Sequence, residues 1–179
     1  MACISKLARA IAYDCDSGAT GLTSALIINK ADIASFTVSE GATVSGLTLL
    51  PGAKAYKVDT VKRSLVLSTA LKVNDGAPNA FTHTATLTAM ASATSGAYAN
   101  ISSAMSNGSF VIVSRPVGGT AATVYGLYYG MSATAFDRNS HDNGAWATIT
   151  LETPENVIGE DNLSMAEADY ATLFDAAVE

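Results

Sequence analysis

Residues 81–89 read FTHTATLTA, and their side chains alternate strictly between two kinds. One side of an extended chain would carry only hydroxyls, from Thr82, Thr84, Thr86 and Thr88. The other side would carry Phe81, His83, Ala85, Leu87 and Ala89. A period of two residues predicts a β-strand with one buried face. The threonine row is then either an ordinary solvated sheet face or a polar, uncharged wall that lines a channel.

Short runs of the same kind recur along the chain, rich in Thr, Ser, Ala and Val and separated by turn residues. So many short strands predict a mainly β fold, an antiparallel β-sandwich or barrel. Gly118 and Gly119 predict a hairpin turn between two of them. The strand candidates are 25–28, 35–38, 54–61, 64–73, 81–90, 109–115, 123–131 and 145–151.

Two segments favour helix rather than strand. Residues 95–107 have apolar side chains at helical spacing between an N-cap at Ser95 and a stop at Gly108, which predicts one short flanking helix. The C-terminal stretch LSMAEADYATLFDAAVE predicts a second helix in which Ser164 and Glu167 form a capping box, or an arm that orders only against a neighbour. Its apolar contacts would come from Met165, Leu173, Phe174 and Ala177.

Residues 54–75 predict a long hairpin with a basic side, closing with the turn signal Asn74-Asp75-Gly76. Its cations are Lys54, Lys57, Lys62, Arg63 and Lys72. Interleaved aromatic residues are missing, which disfavours nucleic-acid binding. The acidic C-terminal segment, 152–179, is the expected partner in an adjacent copy, although it is equally consistent with a solvated acidic terminus. Candidate contacts there are Glu152, Glu155, Glu160 and Asp161.

The bulk composition of the 179 residues predicts one structural domain, 1–179. Charged residues make up only 15% of the chain, and so low a charge density favours self-association. A net charge of -6 disfavours a protein that grips phosphate backbones, although such a chain could surround DNA without holding it. Cys3 and Cys15 match neither a redox pair nor a zinc site, and we expect reduced thiols made in a cytoplasm. We expect neither a secretion signal nor a membrane span.

The sequence contains neither a phosphate-binding loop motif nor a nucleophile-elbow motif. His83 lies on an apolar strand face and is expected to be a structural histidine. The polar stretch 137–144, DRNSHDNG, does not fit an EF-hand calcium loop, whose twelfth residue is a glutamate. Counted from Asp137 the twelfth residue is Thr148, and counted from Asn139 it is Thr150. With one histidine, His141, it also falls short of a zinc site. We therefore expect a turn there, and we expect no enzyme activity, metal or cofactor.

From residue 95 onward the elements run as a short helix, the strand SFVIVSRP, a Gly-rich turn, the strand TVYGLYYGM, an Asp/Asn/Gly turn and the segment GAWATITLETPE. This order resembles that of the tail tube proteins of long-tailed bacteriophages and of the related tubes of contractile injection machines. The start, ACISKLARAIAYDC, is similar to the short Cys-containing N-terminus of small structural proteins of phages from gut bacteria. The likeness rests on the order of elements rather than on a diagnostic motif.

The resemblance implies a β-sandwich subunit that forms sixfold rings, which stack into a tube. One sheet of each subunit would join its neighbours in a continuous barrel around the lumen, so that every exposed edge strand is paired. The hairpin 54–75 and an N-terminal arm, 1–14, would bridge rings. The acidic tail after Glu152 departs from the pattern. The row Thr82 to Thr88 becomes the candidate lumen surface, since a lysine-rich wall would trap DNA.

The implied role is a virion structural protein of the phage tail, made in the host bacterial cytoplasm. Its partners would be itself and other phage tail proteins, with DNA only in transit and no membrane. A capsid decoration protein or a head–tail neck adaptor has the same composition and stays an alternative. A ligand-binding sandwich, such as a glycan module, would need clustered aromatics. The candidates are Tyr125, Tyr128, Tyr129 and Trp146, and strand alternation separates Tyr128 from the pair Tyr125 and Tyr129.

Overall fold

The computed structural model describes residues 21–39, 42–60, 64–73, 75–76, 79–89, 96–138, 147–154 and 163–178. Its strands are β1 Leu22–Asn29, β2 Ile33–Ser39, β3 Thr43–Leu49, β4 Tyr56–Val58, β5 Leu65–Lys72, β6 Ala80–Ala89, β7 Ser109–Pro116, β8 Ala121–Tyr125, β9 Met131–Arg138, β10 Ala147–Glu152 and β11 Leu163–Ala166. Its helices are α1 Gly96–Asn107 and α2 Glu167–Asp175, with a short 3₁₀ helix at Lys30–Asp32. The predicted arm 1–14 lies outside the described residues.

The strands form one large mixed sheet in the order β2-β3-β11-β8-β7-β9-β10-β6-β5. Strand β1 also pairs with β7, and β4 pairs with β1. The predicted class, mainly β and of the sandwich or barrel type, is confirmed. One pair departs from the antiparallel pattern, because β11 runs parallel to β3. The C-terminal strand is thereby inserted between β3 and β8.

Strands β1 and β7 lie at the centre of the fold and have both faces buried. Leu26 and Val113 belong to a first core cluster, which also contains Met165 and Tyr170 from the C-terminal segment. Ile112 belongs to a second cluster, built largely from β5, β6, β9, β10 and α1. A strand pair with apolar side chains on both faces needs a layer on each side. The two halves of the sheet supply those layers.

The predicted hairpin over 54–75 is wrong, because its two strands have different partners. Strand β4 is only three residues long and pairs with β1, whereas β5 pairs with β6 from Leu65 opposite Leu87 to Lys72 opposite Ala80. In the sequence, the turn signal at 74–76 therefore falls between β5 and β6. Alternating apolar residues in 54–61 and 64–73 indicated strands, but alternation alone does not specify which strands pair.

The predicted single strand 123–131 is also divided. Strand β8 ends at Tyr125 and β9 begins at Met131, with Gly126 and Gly130 at φ +76° between them. The Gly130 N–H donates to the Gly126 carbonyl at 2.8 Å and closes the turn. Positive φ values at both glycines end the extended conformation. The sequence did not predict this break, because the residues between the two glycines are apolar and aromatic, as in a strand.

Replacing Gly126 with alanine should destabilise the fold by about 2–4 kcal/mol, from the left-handed backbone together with overpacking. A β-carbon at this position would lie 2.6 Å from Met131 Cγ and 3.0 Å from the Phe110 carbonyl oxygen. Gly118→Ala is the matched control, because Gly118 has φ +74° and a β-carbon added there would meet no atom within 4 Å. Urea denaturation should rank the two losses in that order. Equal losses would remove the packing argument.

The predicted short flanking helix is confirmed as α1, which ends at Asn107 as Gly108 indicated, whereas the predicted N-cap at Ser95 lies outside the described residues. A C-terminal helix is present too, but the predicted capping box is wrong. Helix α2 begins at Glu167 with Ala166 at the N-cap and no side-chain cap, because Ser164 lies in β11. The predicted apolar contacts of Met165, Leu173, Phe174 and Ala177 are confirmed, since all four pack in the first core cluster.

Candidate functional site

Strands β5, β6, β10 and β9 lie side by side and expose one hydroxyl-rich face, which we call the hydroxyl face. Burial alternates along β6 as the sequence predicted, with Thr82 to Thr88 half-buried and the residues between them buried. Thr86 is in register with Thr150, and Thr88 with Thr148. The face comprises Val66, Ser68, Ala70, Thr82, Thr84, Thr86, Thr88, Ser132, Ala135, Asp137, Thr148, Thr150 and Glu152.

The opposite face of the same four strands is buried against the rest of the subunit. Ala85, Ile149 and Leu151 are each at most 1% exposed, and they pack in the second core cluster. Because one face is buried in the core, the hydroxyl face is the side that this sheet can offer to solvent or to a passing molecule.

Charge on the hydroxyl face is sparse and mostly negative among the described residues. Glu152 lies in register with Thr84, and Asp137 with Thr148. Lys72 shares this face by strand alternation but lies at its end, opposite Ala80. The centre of the face therefore presents hydroxyl and methyl groups, which form weak, exchangeable contacts with water and carry no charge that would hold a phosphate.

The basic and acidic candidates are only partly described. Lys54 is exposed, while Lys57 lies with its Nζ 4.8 Å from the Phe174 ring centroid, against the subunit's own C-terminal helix. Glu152 lies on the hydroxyl face, in register with Thr84. The remaining candidates fall outside the described residues: Lys62, Arg63, Glu155, Glu160 and Asp161. Pairing between the basic and acidic sets of adjacent copies stays a prediction.

His83 is a structural residue of the sheet, as expected. It is fully buried, its Nδ1 lies 2.9 Å from Thr69 Oγ1, and its ring meets Tyr125 edge-on with centroids 5.3 Å apart. Its backbone N–H donates to Thr153 Oγ1 at 3.0 Å. These contacts hold the imidazole in the core, where it has no exposed surface.

The polar stretch 137–144 lies mostly outside the described residues, which include only Asp137 and Arg138 of it. The flanking strands β9 and β10 pair antiparallel, with Arg138 opposite Ala147, as a hairpin connection requires. Within the part of the chain that the structure describes, no three His, Cys, Asp or Glu side chains gather where they could bind a metal ion.

The aromatic candidates for a ligand platform are dispersed. Tyr125 packs on His83, Tyr128 packs edge-on against Phe36 with centroids 5.6 Å apart, and Tyr129 is 48% exposed. Trp146 lies outside the described residues. The three described tyrosines therefore do not share one exposed surface. The predicted strand alternation does not explain this, because β8 ends at Tyr125 and Tyr128 and Tyr129 lie in the turn that follows.

Burial raises the pKa of Tyr125 and of Tyr170 above the ordinary value, and hydrogen bonds to neighbouring hydroxyls oppose the shift at both. The folded chain holds these protons more tightly than the unfolded chain does. Stability is therefore fully present below about pH 10 and falls as the pH rises through the folded-state pKa values.

Tyr170→Phe should accordingly lose less stability than the wild type between about pH 8 and about pH 11. Urea denaturation at both pH values measures the difference. An identical fall in the two proteins would contradict the assignment.

The sequence predicted the threonine row of β6 but not the extension of the hydroxyl face to β5, β9 and β10. The missed members include Ser68, Ser132, Thr148 and Thr150, and Thr134 adds a hydroxyl that bonds to the Thr150 carbonyl at 3.4 Å. The signal was present in ATITLE, which alternates hydroxyl and apolar residues as FTHTATLTA does. Knowing that the two strands are neighbours required the structure.

No protein family, curated protein or solved structure matches this chain. Neither described helix has the length and apolar character needed to cross a membrane.

Proposed function

We propose that this chain is a virion structural protein of a bacteriophage, which assembles with copies of itself into stacked rings that form the tail tube. The observation that carries the proposal is the four-stranded sheet β5-β6-β10-β9, with one face buried in the subunit and the other rich in hydroxyls. Arranged around an axis with the hydroxyl face inward, such sheets would line a conduit with uncharged polar groups.

The physical requirement on such a conduit is that DNA slides without adhering. Lysine and arginine bind phosphates because they release condensed counterions, and each such contact strengthens binding. A wall of threonine hydroxyls gives no such gain, and the carboxylates of Glu152 and Asp137 would repel phosphates. The composition of the hydroxyl face fits passage of DNA better than retention of it.

Self-assembly would make the chain its own principal partner, with other phage tail proteins at the ends of the tube and DNA only in transit. It would be made in the host bacterial cytoplasm and function in the virion. The low fraction of charged residues, 15%, favours a protein whose surface is largely covered by its own copies.

Electron microscopy of the purified protein over a range of concentrations tests the proposal. Long hollow tubes of uniform width are the expected result. Single rings, or binding to capsids without tubes, would favour the neck adaptor or capsid decoration protein instead. A dispersed monomer at high concentration would contradict all three.

A further inference from the structure

The β2–β3 hairpin is bonded to the rest of the sheet through the C-terminal segment 163–178, which we call the strap. Strand β11 of the strap lies between β3 and β8, so β3 and β8 do not pair with each other. The Ser164 N–H donates to the Ala42 carbonyl at 2.8 Å, and on its other side β11 pairs antiparallel with β8. Within the described residues, the strap therefore supplies the only strand pairing between the hairpin and β8.

The strap contains little that would order it by itself. Helix α2 has nine residues, no side-chain cap and no basic residue in its last turn. A helix this short is marginal in water, and Asp175 places a negative charge at the end where the helix dipole is already negative. Strand β11 has only four residues. We therefore expect the helix and the strand of the strap to form only when the strap is docked.

Side chains of the strap hold it to the central strands of the sheet. Tyr170 shares a 2.7 Å hydrogen bond with Ser24 of β1, and Glu167 forms a 2.9 Å ion pair with Arg115 of β7. Val178 forms a parallel bridge to the first residue of β4. Because the strap is tied to β1, β4 and β7 in this way, its docking also fixes the hairpin that pairs with it.

The two core clusters divide the molecule along the β1–β7 pair. The hairpin and the strap contribute to the first cluster, through residues such as Val44 and Met165, and they contribute none of the residues of the second. The second cluster is formed by β5, β6, β9, β10 and α1 with one face of β1 and β7. Opening of the hairpin and the strap would therefore leave the second core intact. Segments of this kind open cooperatively at a lower free energy than global unfolding.

We infer that the strap and the β2–β3 hairpin open and close as one unit, independently of the second core. The open form exposes the edges of β3 and β8 together with apolar side chains of the first core, such as Val44 and Val124. Unpaired edges beside apolar surface are templates for pairing with other chains. The closed strap is thus an autoinhibitory contact, which occupies both edges within one subunit.

The position of the strap in the sequence gives this device a consequence for synthesis. Thr43 of β3 and Ser164 of β11 are 121 positions apart. A growing chain cannot complete the first core until the strap has been made, whereas all strands of the second core precede it. The second core is therefore available to hold β1 and β7 in place before the strap closes. This device concerns a single subunit and does not rest on the proposed tail tube.

Native-state hydrogen exchange of the full chain, followed by mass spectrometry in increasing urea, tests the inference. We expect the amides of 33–39, 43–49 and 163–178 to exchange through one common opening. That opening should be populated at least about tenfold more than the one that exposes 80–89 and 147–152. Different opening free energies for the hairpin and the strap would overturn the shared unit. One opening for all these segments would overturn its independence of the second core.

Tyr170→Phe tests the coupling within the unit, because it removes the hydrogen bond to Ser24 of β1 and keeps the ring in place. The lost bond does not involve the hairpin. We nevertheless expect exchange to accelerate by the same factor, about fivefold, in the strap and in 33–39 and 43–49. Faster exchange in the strap alone would overturn the coupling.

The matched control is Ile149→Val, which shortens a side chain of the second core that is 1% exposed. It should accelerate exchange of 80–89 and 147–152 about two- to tenfold. Exchange in the hairpin and the strap should not change, because the second core stays folded when they open. Equal acceleration in the hairpin would mean that both cores open together, and it would overturn the inference.

Discussion

Replacing Thr84 and Thr86 with lysine should leave the subunit folded and able to assemble but slow the release of DNA through the tube. Both side chains are half-buried members of the hydroxyl face, on its central strand β6. Threonine and lysine can both occupy an exposed strand face, so the sheet should tolerate the change. In every copy, two new ammonium groups would meet passing phosphates, and counterion release would make those contacts favourable.

The expected effect is large because the lysines repeat in each copy along the tube. We expect DNA release from particles that carry the variant to slow by about tenfold or more at low salt, and to recover as the salt concentration rises. The matched control is Thr37→Lys with Ser45→Lys, two exposed residues paired in the β2–β3 hairpin, away from the hydroxyl face. The control should release DNA at the wild-type rate. Unchanged kinetics in the Thr84 and Thr86 variant would remove the row from the lumen.

Tyr170→Ala should produce the largest loss of stability among single substitutions in the C-terminal segment, about 3–5 kcal/mol by analogy with other buried aromatic residues. Tyr170 is 2% exposed, packs on Phe174 with ring centroids 5.8 Å apart, and shares a 2.7 Å hydrogen bond with Ser24 Oγ. Helix α2 has no side-chain cap at Ala166, so its position depends on this packing.

Tyr170→Phe separates the hydroxyl from the ring. It keeps the aromatic packing, loses the bond to Ser24, and should cost about 1 kcal/mol. Chemical denaturation of the two variants measures both contributions. If Tyr170→Ala lost no more stability than Tyr170→Phe, the ring would not anchor the segment, and the insertion of β11 between β3 and β8 would have to be maintained by the strand alone.

The elements that the sequence predicted best are those whose signals are local. Thr82 to Thr88 alternate with apolar residues, and half-buried and buried positions alternate in the structure accordingly. Helix α1 ends where Gly108 indicated, for a reason visible in its packing. A β-carbon at Gly108 would lie 2.5 Å from Phe110 Cζ and 2.7 Å from the Ala104 carbonyl oxygen.

The elements that the sequence did not predict depend on partners that are distant along the chain. Ser164 and Glu167 have capping-box spacing, but the Ser164 N–H donates to the Ala42 carbonyl at 2.8 Å, so Ser164 belongs to a strand. Pairing with β3 and β8 outweighed the local helix signal. Strand β3 was missed because Gly46, at φ +60°, interrupts its pattern. The partner of β5 could not be read from its own alternation, since many strands share that period.

Of the four strands that form the hydroxyl face, the sequence predicted the contribution of β6 alone. Thr84 and Thr86 were identified from FTHTATLTA, whereas Glu152 was assigned to an acidic tail. The structure places Glu152 in register with Thr84 on the hydroxyl face. The charge pattern alone placed Glu152 in the acidic tail. Buried and half-buried residues alternate along ATITLE, however, and Glu152 occupies the last half-buried position of that strand.

A three-dimensional electron microscopy reconstruction of the assembled protein would show which face of the subunit lines the lumen. We expect a hollow tube in which β5, β6, β10 and β9 form the innermost layer, with Thr84 and Thr86 directed at the axis. A tube with the hydroxyl face on its outer surface, or a filament without a lumen, would contradict it.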